Sequence, residues 1–168
     1  HYHDTIALVG DGELTLKQLN RELKKKRGKS HYANSSSWLE SCMKKRMEWD
    51  TFRKNRYKNP TLFDERWKRP VLTQPAAINT VLKWAKNNKI VSFFDAGDVQ
   101  ANGFQIDESD SSIFTYTETG SSYMGWAVSS LLITGMAKKP FYGVALSGDG
   151  SFTMNPQILI DGVQHNAR

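Results

Sequence analysis

Apolar and polar positions change their spacing near residue 71, and from there short apolar runs alternate with helical spacings. The run Ile90–Phe94 is typical of a buried strand, and the apolar positions before it recur every three or four residues. The pattern predicts strands at 90–94, 113–117 and 142–146, with helices ending at 87–88, spanning 124–137 and following 155. Helices that alternate with near-continuous apolar strands predict an α/β fold, with an open, mostly parallel sheet flanked by helices.

The last two predicted helices differ in character. Residues 124–137 are mostly small and show little amphipathic contrast, so we expect this helix to be buried on most sides. The final helix has Asn155 as its predicted cap and Pro156 in its favoured first position. Its apolar positions, which we expect to face inward, are Ile158, Leu159 and Val163.

The first 70 residues follow a different pattern. Ile6–Val9 is a short apolar run closed by a Gly-Asp-Gly turn, which predicts a strand, and Thr15 is the predicted cap of the next helix. That helix is expected to end at Gly28. Residues 29–70 are polar, basic and aromatic without a strand pattern, so we predict a helix and an extended connector there.

Composition narrows the class of protein. The chain has 168 residues, 39% of them apolar, which suffices for one domain plus a small appendage and excludes wholesale disorder. No apolar run is long enough to span a membrane, and the first residues lack the pattern of a secretory signal. The single cysteine, Cys42, excludes an internal disulfide, and without a His or Asp context we expect it to be buried. These features favour a soluble, cytoplasmic protein.

The net charge of +6 is unevenly distributed. Residues 1–70 contain 17 of the 23 Lys and Arg residues and 9 of the 17 Asp and Glu residues, so their net charge is +8, against −2 for residues 71–168. The basic residues cluster at 24–27, 44–46 and 66–69. A basic nucleic-acid-binding module is the alternative that this asymmetry raises. We prefer a solvated face with cations near helix ends, so nucleic acid is not the expected partner.

The segment Gly148-Asp149-Gly150-Ser151 follows the third predicted strand directly. In an open parallel sheet the functional crevice lies beyond the carboxyl ends of the strands. A carboxylate at such an end suits Mg²⁺, and flanking glycines let backbone N–H groups approach a phosphate closely. Asp149 is therefore a candidate magnesium ligand, whereas the same Gly-Asp-Gly tripeptide at residues 10–12 is expected to be an ordinary turn.

Two motifs, taken together and in this order, resemble a known family. Residues 119–127 read Thr-Gly-Ser-Ser-Tyr-Met-Gly-Trp-Ala, and residues 144–155 read Val-Ala-Leu-Ser-Gly-Asp-Gly-Ser-Phe-Thr-Met-Asn. They resemble the thiamine-diphosphate-dependent enzymes of the acetolactate synthase and pyruvate oxidase type. The resemblance implies that residues 71–168 are their C-terminal domain, which binds thiamine diphosphate and Mg²⁺. Residues 1–28 would be the strand–helix tail of the central domain, and residues 29–70 a basic linker.

The resemblance implies which residues bind the diphosphate end of the cofactor. Asp149 would bind Mg²⁺ beside the diphosphate. The turn at residues 95–98 resembles the Asp-x-Gly turn that also approaches the diphosphate in this family, although Asp98 is alternatively a cap for the next helix. The residues implied to contact the diphosphate are Gly97, Asp98, Gly148, Gly150 and Ser151.

The same resemblance assigns the reactive end of the cofactor to the first motif. Met124 matches the bulky residue that wedges between the thiazolium and pyrimidine rings and holds the cofactor bent. Ser122 matches the position whose backbone carbonyl meets the amino group of the pyrimidine, and Tyr123, between the two, is also an implied cofactor contact. Met124 and Ser122 are therefore the implied catalytic positions. FAD, which a longer parent enzyme of this type can also hold, is not indicated by these residues.

The implied activity is the cleavage or formation of a C–C bond next to a carbonyl. Decarboxylation of a 2-oxo acid followed by carboligation, as in acetolactate synthase, is the first expectation. The alternative within the family is the hydrolase of inositol breakdown that opens a cyclic dione, to which Glu118, Gly120 and Ser122 are also similar.

Two groups that the family uses for metal binding and catalysis are expected to lie outside the chain. The Asn pair that supplies a second magnesium ligand would follow Arg168, and the glutamate that protonates the pyrimidine belongs to a second subunit. The resemblance therefore implies a fold that is incomplete at both ends and a homodimer or homotetramer that completes the active site. By itself the chain is not expected to turn over substrate.

Overall fold

The computed structural model describes residues 3–27, 36–108 and 114–168. The chain divides into two compact units, His1–Met47 and Glu48–Arg168, so that the boundary lies inside helix α2 (Ser36–Lys58). The sequence-based division at residues 28 and 70 stays a prediction. Every helix in the described part of the chain is too short or too polar to cross a membrane.

The strand predicted at Ile6–Val9 is not formed. Residues 5–9 have no strand pairing in the described part of the chain, and the side chains of Ile6 and Val9 are 88% and 97% exposed. An apolar run becomes a strand only where a neighbouring strand pairs with its backbone N–H and C=O groups. The described residues of the first unit provide no such neighbour, so this prediction is wrong.

Helix α1 (Gly12–Arg27) begins before its predicted cap. Oδ1 of Asp11 accepts a hydrogen bond from the N–H of Leu14 at 2.9 Å, and the Asp11 carbonyl accepts one from the N–H of Thr15 at 2.9 Å. Asp11 is therefore the N-cap, not Thr15, because its short side chain reaches the first free N–H groups. The predicted stop, Gly28, lies outside the described residues.

Cys42 lies on α2 and is exposed, so the expectation that it is buried is wrong. Residues 37–49 of the helix are all exposed. A small apolar side chain is buried only if the helix face that carries it packs against other residues, and this part of α2 has no such buried face.

A β-hairpin follows α2 and corrects the prediction that residues 29–70 contain no strand. Strand β1 (Thr61–Asp64) pairs antiparallel with β2 (Arg69–Leu72), in a register that places Thr61 opposite Leu72 and Asp64 opposite Arg69. At the turn, Oδ1 of Asp64 accepts hydrogen bonds from the N–H groups of Arg66 and Trp67, at 2.9 and 2.8 Å. This side-chain turn brings the two strands into register.

The central sheet confirms the α/β class predicted from the alternating pattern. Its three strands are parallel in the order β4-β3-β5, with helices between them. The second unit contains, after the hairpin, α3 (Gln74–Asn87), β3 (Val91–Phe94), α4 (Asp98–Ile106), β4 (Thr115–Thr117), α5 (Trp126–Ser130), α6 (Leu132–Met136), β5 (Gly143–Leu146), α7 (Asp149–Met154) and α8 (Ile158–Gln164). Of the second predicted strand, residue 113 lies outside the described residues.

Neighbouring residues of β3 bury opposite faces of the sheet, because side chains alternate along a strand. Phe94 is fully buried among apolar side chains of α3 and α4, including Ile78 and Val99. Phe93 faces the other way, with its ring centroid 5.8 Å from that of Tyr116 and 6.2 Å from that of Trp126. Helices therefore pack on both faces of the sheet.

Two helix predictions need correction. Residues 124–137 form not one helix but α5 and α6. Every residue of α5 is buried or half-buried, as expected, whereas Ile133 and Met136 of α6 are more than half exposed. The final helix begins at Ile158 rather than at Pro156, after the separate helix α7. Ile158 is buried, but Leu159 and Val163 are exposed, because α8 buries only a narrow stripe of its surface.

Candidate functional site

Strands β3 and β5 flank the point at which the strand order reverses. From β3 the chain crosses through α4 to β4 on one side, and from β4 it returns past β3 to β5 through α5 and α6. In open parallel sheets, ligands bind in the crevice beyond the carboxyl ends of the strands at such a switch point. The segments at this position are residues 95–98 after β3 and residues 147–150 after β5, which include most of the predicted diphosphate contacts.

Asp149 is the first residue of α7, directly after the N-cap residue Gly148. Its side chain is exposed, and no residue of the described ranges forms a hydrogen bond or an ion pair with its carboxylate. A Cβ atom built on Gly148 would have no heavy atom within 4 Å. The carboxylate therefore lies beside open space, where an incoming cation could reach it.

Met124 lies against the Gly-Asp-Gly segment. A Cβ atom built on Gly150 would lie 3.5 Å from Cε of Met124, whose side chain is 48% exposed. Next to it, Gly125 has a φ of 86°, and a Cβ atom there would lie 3.1 Å from the carbonyl oxygen of the buried Ser151. The two sequence motifs of the resemblance therefore lie close together.

The loop between β4 and Met124 wraps around the carboxylate of Glu118. The N–H groups of Ser121 and Tyr123 donate to it, at 2.9 and 3.3 Å, and so does the N–H of Gly120. These backbone hydrogen bonds, that of Ser121 most strongly, lower the pKa of Glu118 below its ordinary value of 4.5, against the raising effect of desolvation. Ser122 has a φ of 56° in this loop and, like Tyr123, is exposed.

The turn after β3 supplies the second predicted diphosphate contact. Gly97 has a φ of 80°, and a Cβ atom there would again meet open space. Gly97 is also the N-cap residue of α4, so the alternative that Asp98 caps this helix is wrong. Asp98 lies in the first turn of α4 and is exposed. Gln100 of α4 donates from Nε2 to the carbonyl of Glu118 at 2.7 Å, which ties this turn to the β4 loop.

Asp95 has a role in this region that sequence reasoning missed. It is fully buried at the end of β3. Its Oδ1 accepts hydrogen bonds from the N–H groups of Ala96, at 2.9 Å, and Gly125, at 3.0 Å, and its Oδ2 accepts one from Oγ of Ser147 at 2.7 Å. The sequence signal was an acidic residue directly after a buried strand.

The side chains at this site could bind Mg²⁺ only if a phosphate also supplied oxygen ligands to the metal. Within the described ranges, no group of three or more His, Cys, Asp or Glu residues could hold a metal ion. Mg²⁺ is commonly held by one or two carboxylates together with phosphate oxygens and water. Asp149 beside open backbone therefore fits a magnesium ion carried by a diphosphate, and does not fit an independent metal centre.

An aromatic cavity lies elsewhere on the sheet. It has a volume of about 470 Å³ and is lined by Phe93, Tyr116, Trp126, Ser129, Ser130, Ile133 and Phe141. None of these seven described residues has a carboxylate, imidazole or cationic side chain. A charged diphosphate is therefore better placed at the strand ends than in this cavity.

The basic clusters are divided between the two units. Residues 24–27 end α1 as expected, but residues 44–46 lie inside α2 rather than near its end. In the hairpin turn, Lys68 pairs with Glu65 at 2.8 Å, and the guanidinium of Arg69 lies 5.3 Å from the ring centroid of Trp67. These internal contacts use part of the third cluster, and no observation favours the nucleic-acid alternative.

No family model, curated protein or solved structure gives a significant match to the chain.

Proposed function

We propose that residues 71–168 form the cofactor-anchoring part of a thiamine-diphosphate-dependent enzyme that cleaves or forms C–C bonds next to a carbonyl. The observation that carries the proposal is the meeting of the two motifs at the switch point of the parallel sheet. There Met124 lies close to the segment that contains Asp149, whose exposed carboxylate has no partner among the described residues. Ligands of open α/β sheets bind at this position in general.

The chain would hold the charged end of the cofactor through one side chain and several backbone groups. Asp149 would bind the Mg²⁺ that accompanies the diphosphate. The N–H groups of Gly150 and Ser151 lie in the first turn of α7 and so have no carbonyl partner within the helix. Gly97, across the switch point, would leave room for the phosphate because it has no side chain.

The chain would orient the reactive end of the cofactor through the loop after β4. Met124 is half exposed and so has apolar surface available to a ring, while its far side packs by Gly150. The carbonyl of Ser122 and the exposed Tyr123 lie in the loop that Glu118 holds. When bound, the cofactor supplies a nucleophilic carbon and an electron sink for the bond that breaks.

Within this class, we propose a 2-oxo acid as the substrate, with decarboxylation followed by carboligation. Opening of a cyclic dione is the second candidate, because backbone N–H groups of the same loop hold the carboxylate of Glu118 in place. A second subunit of a homodimer or homotetramer would complete the site. Cytoplasmic localisation is part of the same proposal.

Isothermal titration calorimetry tests the proposal directly. We expect the chain to bind thiamine diphosphate in the presence of Mg²⁺, and to lose this binding when EDTA removes the metal. Thiamine, which has both rings but no diphosphate, should bind far more weakly because Asp149 and the open glycines recognise the charged end. Equal affinity for thiamine and thiamine diphosphate, or binding unaffected by EDTA, would contradict the proposal.

A further inference from the structure

The carboxylate of Asp95 is the point at which three segments of the second unit are joined. It accepts hydrogen bonds from Ala96 in its own turn, from Gly125 in the β4 loop and from Ser147 after β5, all within 3.0 Å. Its own N–H donates to the carbonyl of Leu146 at 2.9 Å. Both strands that flank the switch point and the intervening loop therefore meet at one buried side chain.

Among the described residues, the carboxyl oxygens of Asp95 are bound by hydrogen-bond donors alone. The carboxylate is fully buried, and it forms no ion pair with any Lys, Arg or His of the described residues. A buried carboxylate is costly unless donors satisfy its oxygens. The loops that supply those donors are consequently held in place, because moving either one would leave a buried charge with fewer partners.

The two donor loops carry the residues of the proposed cofactor site. Gly125 directly follows Met124, and Ser147 is two residues before Asp149. Among the described hydrogen bonds, none joins residues 118–125 directly to residues 147–151. The polar connection between these loops therefore runs through the Asp95 carboxylate.

We propose that Asp95 is a positioning residue that fixes the loop of Met124 against the Gly148–Gly150 loop. Its significance for catalysis rests on the proposed function, but the placement itself can be measured without cofactor. The contact that it fixes is the one between Cε of Met124 and Gly150.

Two substitutions separate the hydrogen bonds of Asp95 from its charge. In Asp95→Asn, the amide oxygen can still accept from Ala96 and Gly125, and the amide nitrogen can donate to the Ser147 hydroxyl, which also serves as an acceptor. Asp95→Ala removes all three hydrogen bonds and leaves the buried N–H of Gly125 without its partner. Ser147→Ala removes the connection to the loop after β5, together with the longer hydrogen bond from Oγ of Ser147 to the carbonyl of Gly148 at 3.3 Å.

The experiment is NMR spectroscopy of the chain without ligand. One readout is the nuclear Overhauser effect between the Met124 methyl group and the Gly150 Hα atoms, and the other is hydrogen exchange of the Gly125 amide. For Asp95→Ala we expect loss of the Overhauser effect and about tenfold faster exchange at Gly125, as for the loss of one buried hydrogen bond. Asp95→Asn should keep both readouts close to wild type. Ser147→Ala should weaken the Overhauser effect and leave the Gly125 amide protected.

Ile78→Val is the control for general destabilisation. Ile78 is buried against Phe94 in the core, so this variant loosens the fold without touching either loop. The proposal is overturned if Ile78→Val moves both readouts as much as Asp95→Ala does. It is also overturned if Ser147→Ala leaves the Met124–Gly150 contact unchanged, a test that holds even if Asp95→Ala does not fold. The NMR experiment contains no cofactor, so a negative result would not contradict the proposed function. Conversely, a failure to bind thiamine diphosphate would not affect the NMR readouts.

Discussion

Met124 and Gly150 come from different motifs and lie close together: a Cβ atom added to Gly150 would be only 3.5 Å from Cε of Met124. The methionine packs on one side against the segment proposed to hold the diphosphate and exposes about half of its surface on the other. This is the placement expected of a side chain that supports a bent two-ring ligand.

Shortening Met124 is predicted to change the shape of a bound cofactor more than its affinity. A half-exposed Met gains on the order of 1 kcal/mol when a ligand covers it, which is roughly fivefold in affinity. In Met124→Ala, thiamine diphosphate should lose the transferred Overhauser effects between its two rings, because Met124 is the side chain proposed to hold it bent. Met136→Ala, which removes an exposed methionine on α6, is the control. Unchanged inter-ring effects in Met124→Ala would show that Met124 has no such role.

The Glu118 loop is predicted to weaken in acid. The folded-state pKa of Glu118 lies below the ordinary value of 4.5, because backbone N–H groups bind its charged form. Its contribution to stability is therefore fully present above pH 4.5 and is lost as the pH falls through the folded-state pKa. The stability difference between wild type and Glu118→Gln should be constant near neutral pH and shrink in acid.

Urea unfolding at a series of pH values measures this difference. Glu40→Gln is the control, since Glu40 is an exposed carboxylate on α2 with no hydrogen bond to the described residues. The interpretation fails if the two variants show the same pH dependence, or if Glu118→Gln is as stable as wild type at neutral pH.

Gly103→Ala is predicted to destabilise the second unit. A Cβ atom at Gly103 would lie 2.8 Å from two ring carbons of Phe94, which is fully buried and cannot retreat. Overpacking of this kind costs about 1–3 kcal/mol, more than the ~1 kcal/mol that alanine gains over glycine in a helix. Gly162→Ala on α8 is the matched control, because its Cβ atom would make an ordinary 3.7 Å contact. Urea unfolding should show a loss for Gly103→Ala and none for Gly162→Ala.

The parallel sheet could be predicted from the sequence because strands that are buried on both faces are short apolar runs. Val91–Phe94 and Gly143–Leu146 are short apolar runs with helical spacings around them. The hairpin left no such signal: β1 and β2 are mostly exposed and include Arg69 and Pro70. Their pairing depends on each other and on the Asp64 turn, not on an apolar face.

The sequence could predict only those site residues whose role follows from their neighbours along the chain. Asp149 could be assigned because a carboxylate between glycines at a strand end has a general meaning. The role of Asp95 could not be assigned, because its partners Gly125 and Ser147 are distant in sequence and come together only in the folded chain. The same holds for the contact between Met124 and Gly150.

The most direct test of the proposed function is calorimetry of thiamine diphosphate and Mg²⁺ with wild type, Asp149→Ala and Asp161→Ala. Asp161 lies on α8, away from the strand ends, so its variant removes a carboxylate without changing the proposed site. Mutating a residue that only orients a metal ligand typically lowers metal affinity by about 10–100-fold. Loss of the ligand itself should therefore lower the affinity by more than about a hundredfold. The account predicts wild-type affinity for Asp161→Ala and no measurable binding for Asp149→Ala. Equal binding by Asp149→Ala and wild type would contradict it.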